Sequence, residues 1–116
     1  MNKENYLRAY RKKTHVTQFD VAFLLGLDEN SLLSRWESGE RPPSLEAIIS
    51  YHLLFNTPPL DFFVNQRNEV RQKLIIGISQ LLSMLKSQDK NANVQQRIDY
   101  LESALTRLTS ENIHEN

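Results

Sequence analysis

A short segment that follows Gly26 carries polar side chains at helical spacing: Asn30, Ser31, Ser34 and Arg35. Asparagine can pair bidentately with adenine, arginine can pair with guanine, and serine can bond to a base or to a phosphate. The apolar residues interspersed with them are Leu32, Leu33 and Trp36. At about 100° per residue, the polar and apolar groups lie on opposite faces of a helix. The segment from about 30 to 37 is therefore predicted to be a helix held by its apolar face, with base-contacting groups on the other.

The first part of the chain concentrates basic side chains, namely Arg8, Lys12 and Lys13. Gln18 is predicted at the start of the following helix, where unpaired backbone N–H groups favour a phosphate. These four residues are candidates for contacts with a DNA backbone. Over the whole chain, 14 basic residues balance 14 acidic ones, which argues against a histone-like or polybasic binder.

Catalytic and metal chemistry find little support in the sequence. The three histidines, His15, His52 and His114, are not at metal-ligand spacing. The chain has no cysteine, which excludes disulfides, thiolate metal sites and a cysteine nucleophile. Its three glycines are isolated, so no glycine-rich phosphate loop exists. We expect no enzymatic activity, no metal and no cofactor.

The composition also bears on localisation. No apolar run approaches the roughly 20 residues that a membrane span needs. Residues 1–5 lack the apolar segment of a signal peptide. The absence of cysteine suits a reducing cytosol. We therefore expect a cytoplasmic protein with no membrane partner.

Apolar residues recur at helical spacing almost throughout, and no run alternates with the period of a strand, so the predicted fold class is all-α. Helix N-caps are predicted at Thr17, Asp28, Ser44 and Thr57. Gly26 stands where a left-handed C-cap is expected, and the helices on either side of it form a helix-turn-helix whose second helix is free to enter the major groove. The predicted helices of this part are 3–13, 18–25, 30–37, 45–55 and a short fifth helix with Pro58 at its first position.

A polar stretch, 65–69, is the best internal boundary, although without proline or glycine it could equally be a helical join. It divides the chain into a helix-turn-helix domain, 1–64, and a C-terminal pair of helices, 66–110. The two helices are predicted at about 68–87 and 93–110. The tail, 111–116, is polar and expected to fray.

The apolar stripes of these two helices differ in width. The second stripe is narrow and covers about 80° of the helix, whereas the first covers about 140°. A narrow stripe needs one neighbour, but a wide one can serve two. The helices can therefore pack as a hairpin within one chain, meet a second subunit, or do both. The candidate packing residues are Leu74, Ile78, Leu81 and Leu85 on the first helix, and Val94, Ile98, Leu101, Leu105 and Leu108 on the second.

The segments TQFDVAFLLG, 17–26, and SRWESG, 34–39, are quite specific at their mutual spacing. Together with 7–11 and 40–46, they resemble the Cro/repressor-type, or XRE-type, helix-turn-helix family over about half of the chain. The resemblance implies a five-helix DNA-binding domain, usually in a dimeric bacterial or phage transcription regulator. It implies that Arg11 pairs with Glu37 and that Gln18 holds the DNA backbone. It also assigns base reading to Asn30, Ser31 and Arg35, and positions near the backbone to Ser38 and Arg41.

Three residues or segments depart from the family pattern. Gly26 to Glu37 spans one residue more than usual, which predicts a longer turn around 27–29. His15 stands where glycine is common, and histidine tolerates a left-handed backbone better than branched residues do. Glu40 occupies a position that is often basic, which predicts modest non-specific affinity; each neutralised phosphate contributes roughly −0.9 to the salt slope.

Two hypotheses of different class follow. The first is a transcription regulator that binds duplex DNA sequence-specifically, as a homodimer, with the helix at about 30–37 in the major groove. The alternative is a protein-interaction module on a helix-turn-helix scaffold, such as the antitoxin-like partner of a toxin. The zero net charge and the wide stripe of 70–85 favour the alternative, and the motif string favours the first.

Overall fold

The computed structural model describes residues 4–89 and 91–114, and the side chains of all these except 111–114. All regular structure in these residues is helical, which confirms the predicted all-α class. The α-helices are α1 Leu7–Lys13, α2 Gln18–Leu24, α3 Ser31–Ser38, α4 Leu45–Phe55, α5 Val64–Lys86 and α6 Ala92–His114, with a 3₁₀ helix at Pro59–Phe63 between α4 and α5. None of the helices in the described part of the chain has an apolar stretch long enough to cross a bilayer.

The chain divides into two compact units, Met1–Arg67 and Asn68–Asn116. The division lies three residues beyond the end of the predicted helix-turn-helix domain, 1–64. The polar stretch 65–69 lies inside α5, which begins at Val64. Of the two interpretations of that stretch, the helical join is therefore the one observed.

The first unit is built around one apolar core. Its aromatic members pack edge to face, with Tyr10 and Phe62 5.4 Å apart and Tyr51 and Phe62 6.1 Å apart between ring centroids. Such edge contacts suit the quadrupoles of the rings. Trp36 is 5% exposed and belongs to this core, as expected from its place on the apolar face of α3. The buried members are Leu7, Val21, Leu33, Trp36, Ala47, Tyr51 and Phe62.

Two of the four predicted N-caps are observed. The Thr17 hydroxyl accepts from the backbone N–H of Asp20 at 3.1 Å, and the Asp20 carboxylate accepts from the Thr17 N–H at 3.0 Å, which makes a capping box. The Ser44 hydroxyl accepts from the Ala47 N–H at 3.1 Å. These bonds satisfy N–H groups that the first turn of a helix leaves unpaired, so they fix where α2 and α4 begin.

The other two cap predictions are wrong. The N-cap of α3 is Asn30, two residues after Asp28, because residues 28–30 bend before the helix begins. The hydroxyl of Thr57 donates to the carbonyl of Phe55 at 2.9 Å, and the 3₁₀ helix begins after Pro58. A serine, threonine or aspartate close to a helix start signals a cap, but the path of the turn decides which residue occupies it.

Two predicted left-handed positions are confirmed. Gly26 has φ +74°, just past the end of α2, and His15 has φ +65° in the turn between α1 and α2. The Leu27 N–H donates to the Ala22 carbonyl at 2.9 Å, which closes the C-terminal turn of α2 around Gly26. This geometry turns the chain sharply after α2 and directs it toward α3.

In the second unit, α5 and α6 pack against each other within one chain. Leu82 and Leu85 of α5 are buried with Val94 and Ile98 of α6. Ile78, Leu81, Leu101 and Leu105 surround this cluster and are partly buried. The hairpin interpretation of the two stripes is therefore observed.

Helix α6 runs to His114, past its predicted end at 110. Residues 111–114, expected to fray, continue the helix, and residues 115–116 of the predicted tail lie outside the described residues. Neither proline nor glycine stands in 111–114 to end the helix.

Candidate nucleic-acid interface

Helix α3 has one buried and one exposed face. Leu33 is fully buried and Trp36 is 5% exposed, so this side anchors α3 on the core. Leu32 is half-buried beside them. The opposite side presents a polar face that is exposed to solvent along the whole helix. We call this set the reading face: Ser31, Ser34, Arg35 and Ser38, with Asn30 exposed at the N-cap.

Arg11 of α1 and Glu37 of α3 form a buried ion pair. Arg11 donates from Nε to Glu37 Oε2 at 2.7 Å and from Nη2 to Oε1 at 2.9 Å. Its third nitrogen, Nη1, donates to the Val16 carbonyl at 2.9 Å. The two residues are 7% and 6% exposed. The bidentate pair therefore joins the first helix to the end of α3 in one fixed geometry.

Two further side chains bind the Glu37 carboxylate. The Tyr51 hydroxyl of α4 donates to Oε2 at 2.6 Å, and the Gln18 amide of α2 donates from Nε2 to Oε1 at 3.0 Å. Glu37 thus receives hydrogen bonds from three other helices. We call Arg11, Gln18, Glu37 and Tyr51 the carboxylate network. From the sequence, only the arginine was expected as a partner of Glu37, although a buried tyrosine hydroxyl needs an acceptor and signals that one is near.

The network sets the protonation of its members. Burial by itself raises the pKa of Glu37, but the hydrogen bonds from Arg11, Gln18 and Tyr51 together hold that pKa below its ordinary value. The hydrogen bond to Glu37 raises the pKa of Arg11. Burial, followed by the bond to Glu37, raises the pKa of Tyr51. At neutral pH the network is therefore a charged pair with a neutral phenol and an amide bound to it.

An open cleft of about 530 Å³ lies where α1, α2 and α3 meet. Arg8 and Lys12 of α1, Gln18 of α2 and Ser34 of α3 line it, and we call these four residues the basic cleft. All four were predicted to contact DNA, and the structure brings them to one concave surface. Arg8 and Lys12 are exposed and supply its positive charge.

The position of Gln18 follows from the carboxylate network. One amide hydrogen is directed to Glu37, which fixes the plane of the amide. A glutamine amide has two N–H donors, so the second remains for another acceptor. The side chain is half-buried and borders the basic cleft, so that acceptor can come from solvent or from a ligand in the cleft.

Four other predicted contact residues have local partners. The Ser31 hydroxyl donates to the carboxylate of Glu29. The Ser38 hydroxyl donates to the carbonyl of Arg35 at 3.1 Å, and Arg41 donates its backbone N–H to the same carbonyl at 3.2 Å. The Lys13 ammonium lies 4.6 Å from the centre of the Tyr10 ring.

Arg41 borders a separate cavity of about 480 Å³, together with Pro42, Pro43, Ile48 and Phe63. Arg41 therefore does not line the basic cleft.

Across the part of the chain that the structure describes, no three acidic or histidine side chains come together as a candidate cation site. His52 instead contacts the Thr57 carbonyl through Nδ1 at 2.8 Å.

Comparison with known proteins bears on this arrangement. Residues 7–62 match the helix-turn-helix family model. Curated proteins and solved structures give no significant match. The matched segment runs from the first residue of α1 to the 3₁₀ helix, so it contains both the reading face and the basic cleft. This segment, just under half of the chain, is a helix-turn-helix domain of the Cro/repressor type (XRE type).

Proposed function

We propose that the protein is a transcription regulator that binds duplex DNA sequence-specifically, as a homodimer, with α3 in the major groove. The observation that carries this proposal is the reading face, which is exposed to solvent and is fixed from behind by Leu33 and Trp36. A helix held in this way presents its side chains to base edges without losing its own packing. Binding to DNA would place the protein, in a bacterium, in the cytoplasm.

The base contacts come from the reading face. Arg35 is exposed near the middle of α3 and is suited to a bidentate contact with guanine. Asn30, at the N-cap, makes no capping hydrogen bond with its side chain, so its amide is available to pair with adenine. Ser31 and Ser34 are the shorter polar residues on the same face; the hydroxyl of Ser31 donates to Glu29 and is left to accept from a base.

The backbone contacts come from the basic cleft, which borders the reading face through Ser34. Arg8 and Lys12 supply charge, and Gln18 supplies an oriented amide donor. Phosphate contacts of this kind fix the register of a protein on DNA, and base contacts then read the sequence. Lys13, Ser38 and Arg41, which do not line the cleft, are further candidates for contacts with the DNA backbone.

Dimerisation is proposed through α5 and α6. On α5, Val70 is 53% exposed and Leu74 is 48% exposed, so part of the wide apolar stripe stays uncovered. A second copy of the chain would bury it. A symmetric dimer predicts a two-fold DNA site whose half-sites lie about 34–36 Å apart, one helical turn. The residues that pack within each copy are Ile78, Leu81, Leu82, Leu85, Val94, Ile98, Leu101 and Leu105. Leu108, half-buried on α6, is proposed as a further packing residue.

The test is binding of the full chain to fragments of its own upstream region, compared with random duplexes of equal length. Arg35→Ala should reduce the affinity for the preferred fragment by about 1–3 kcal/mol and leave random DNA nearly unchanged. Arg97→Ala, which removes an exposed arginine on α6, is the matched control. Equal losses on both kinds of DNA would contradict base reading. A wild-type chain that prefers no fragment would support the protein-interaction alternative instead.

A further inference from the structure

Glu29 lies in the turn that precedes α3 and is exposed to solvent. Its carboxylate accepts a hydrogen bond from the hydroxyl of Ser31. Ser31 is the first residue of α3 and belongs to the reading face. The bond therefore holds the carboxylate at the leading end of the surface that is proposed to meet the bases.

No other contact of Glu29 accounts for the position of its carboxylate. Among the described residues, Ser31 is the single hydrogen-bond or ion-pair partner of the Glu29 side chain. The N-cap of α3 is Asn30, so Glu29 does not cap the helix. The free N–H groups at the start of a helix favour a nearby anion, which explains why a carboxylate is tolerated there but not what it recognises.

The chemistry of a carboxylate at this position is selective. An ionised carboxylate only accepts hydrogen bonds, and phosphates repel it. In the major groove, guanine presents two acceptors and thymine presents one, so neither offers it a donor. Adenine offers the N6 amino group beside the acceptor N7, whereas cytosine offers the N4 amino group with no acceptor on the same base. Cytosine is therefore the base that Glu29 fits best.

We propose that Glu29 is a specificity-determining residue that selects cytosine at one position of each half-site. This inference rests on the proposed function and adds a contact to it. The turn between Gly26 and α3 places the carboxylate at the leading end of the reading face, and Ser31 orients it. In this role Glu29 works by exclusion as well as attraction, since it disfavours guanine and thymine at the same position.

The test is selection of binding sites from a randomised duplex library by the full-length chain. The wild-type chain should enrich cytosine at one position per half-site. Glu29→Gln should replace that cytosine by adenine, because glutamine pairs bidentately with adenine N6 and N7. We expect the preference to change by about tenfold or more at that position and to stay constant elsewhere. Glu69→Gln, an exposed glutamate on α5, is the matched control and should select the wild-type site.

Several outcomes would overturn the inference. An unchanged site for Glu29→Gln would refute it and leave the proposed function intact. A uniform loss of preference, accompanied by a lower melting temperature, would assign Glu29 a structural role. If Glu29→Gln does not fold, Glu29→Asp, which withdraws the carboxylate by one methylene, should weaken the cytosine preference alone, and an unchanged preference would refute the inference. If the wild-type chain enriches no sequence at all, the proposed function fails.

Discussion

Replacement of Arg11 by alanine should strongly destabilise the first unit, because it breaks a buried ion pair. Arg11 donates two hydrogen bonds to Glu37 and one to the Val16 carbonyl. Both charged residues are more than nine-tenths buried. The substitution leaves the carboxylate of Glu37 buried with two neutral donors, Gln18 and Tyr51, and no positive partner.

The expected loss follows from that arrangement. Removing one partner of a buried ion pair costs about 3–5 kcal/mol, because an uncompensated charge stays behind. The free energy of unfolding of a natural domain is about 5–15 kcal/mol, so the variant loses a large share of its stability. For a small domain each kcal/mol lowers the melting temperature by about 4–8 °C, and the melting temperature should therefore fall by at least about 12 °C.

The same variant has a characteristic pH dependence. In the wild-type protein the folded-state pKa of Glu37 is lowered, so its contribution is present above the unfolded pKa of about 4.3 and is lost as the pH falls through the folded value. In Arg11→Ala burial dominates, and the pKa of Glu37 rises above its unfolded value. Protonation of Glu37 then removes the unpaired buried charge and stabilises the variant. The difference in unfolding free energy between the two proteins should shrink as the pH falls from about 7 toward 4.

Urea unfolding followed by tryptophan fluorescence measures this loss. The chain has one tryptophan, and Trp36 is 5% exposed in the core of the first unit, so its emission reports the unfolding of that unit. Lys12→Ala, which truncates an exposed neighbour on α1, is the control and should change the free energy of unfolding by less than about 0.5 kcal/mol. If Arg11→Ala costs no more than Lys12→Ala, or if its penalty grows in acid, the argument from an unpaired buried carboxylate is refuted.

Three further predictions concern other residues. Tyr51→Phe removes one hydrogen bond to the charged Glu37 but keeps the packing, so it should cost about 1.5–3 kcal/mol in the same urea assay, and a neutral result would show that the phenol contributes only its ring. Lys12→Ala should weaken binding to preferred and random duplexes alike and reduce the slope of log affinity against log salt by about one, whereas a loss confined to the preferred duplex would assign Lys12 to base reading. Leu74→Lys should convert the proposed dimer to a monomer in sedimentation, with Gln72→Lys as an exposed control, and a dimer that survives Leu74→Lys would exclude this part of α5 from the interface.

The helix-turn-helix itself was predictable because its signals are local. The spacing of Leu32, Leu33 and Trp36 sets the buried side of α3, and the glycine at 26 has the left-handed backbone that the turn requires. A buried stripe repeats every three to four residues, and a tight turn needs one residue of unusual φ. Both can be recognised within a window of a dozen residues.

Helix ends were predicted less well for a related reason. Asp28 and Asn30 are both common N-cap residues, and either could precede the apolar stripe of α3. The choice depends on how many residues the turn after Gly26 uses, and that number is set by where α3 meets the core. The start of α5 is a similar case. The helix begins directly after the 3₁₀ helix, and the polar stretch 65–69 favours neither a break nor a helix.

The sequence alone determined the class of fold, the order of the helices through 7–62 and the polar composition of the reading face. The packing of the helices settled which groups meet: Glu37 takes its hydrogen bonds from residues 26, 19 and 14 positions away. It also decided that Arg8, Lys12, Gln18 and Ser34 share one cleft. Helical periodicity is a short-range property of the chain, whereas the pairing of a buried charge depends on the angles at which separate helices pack.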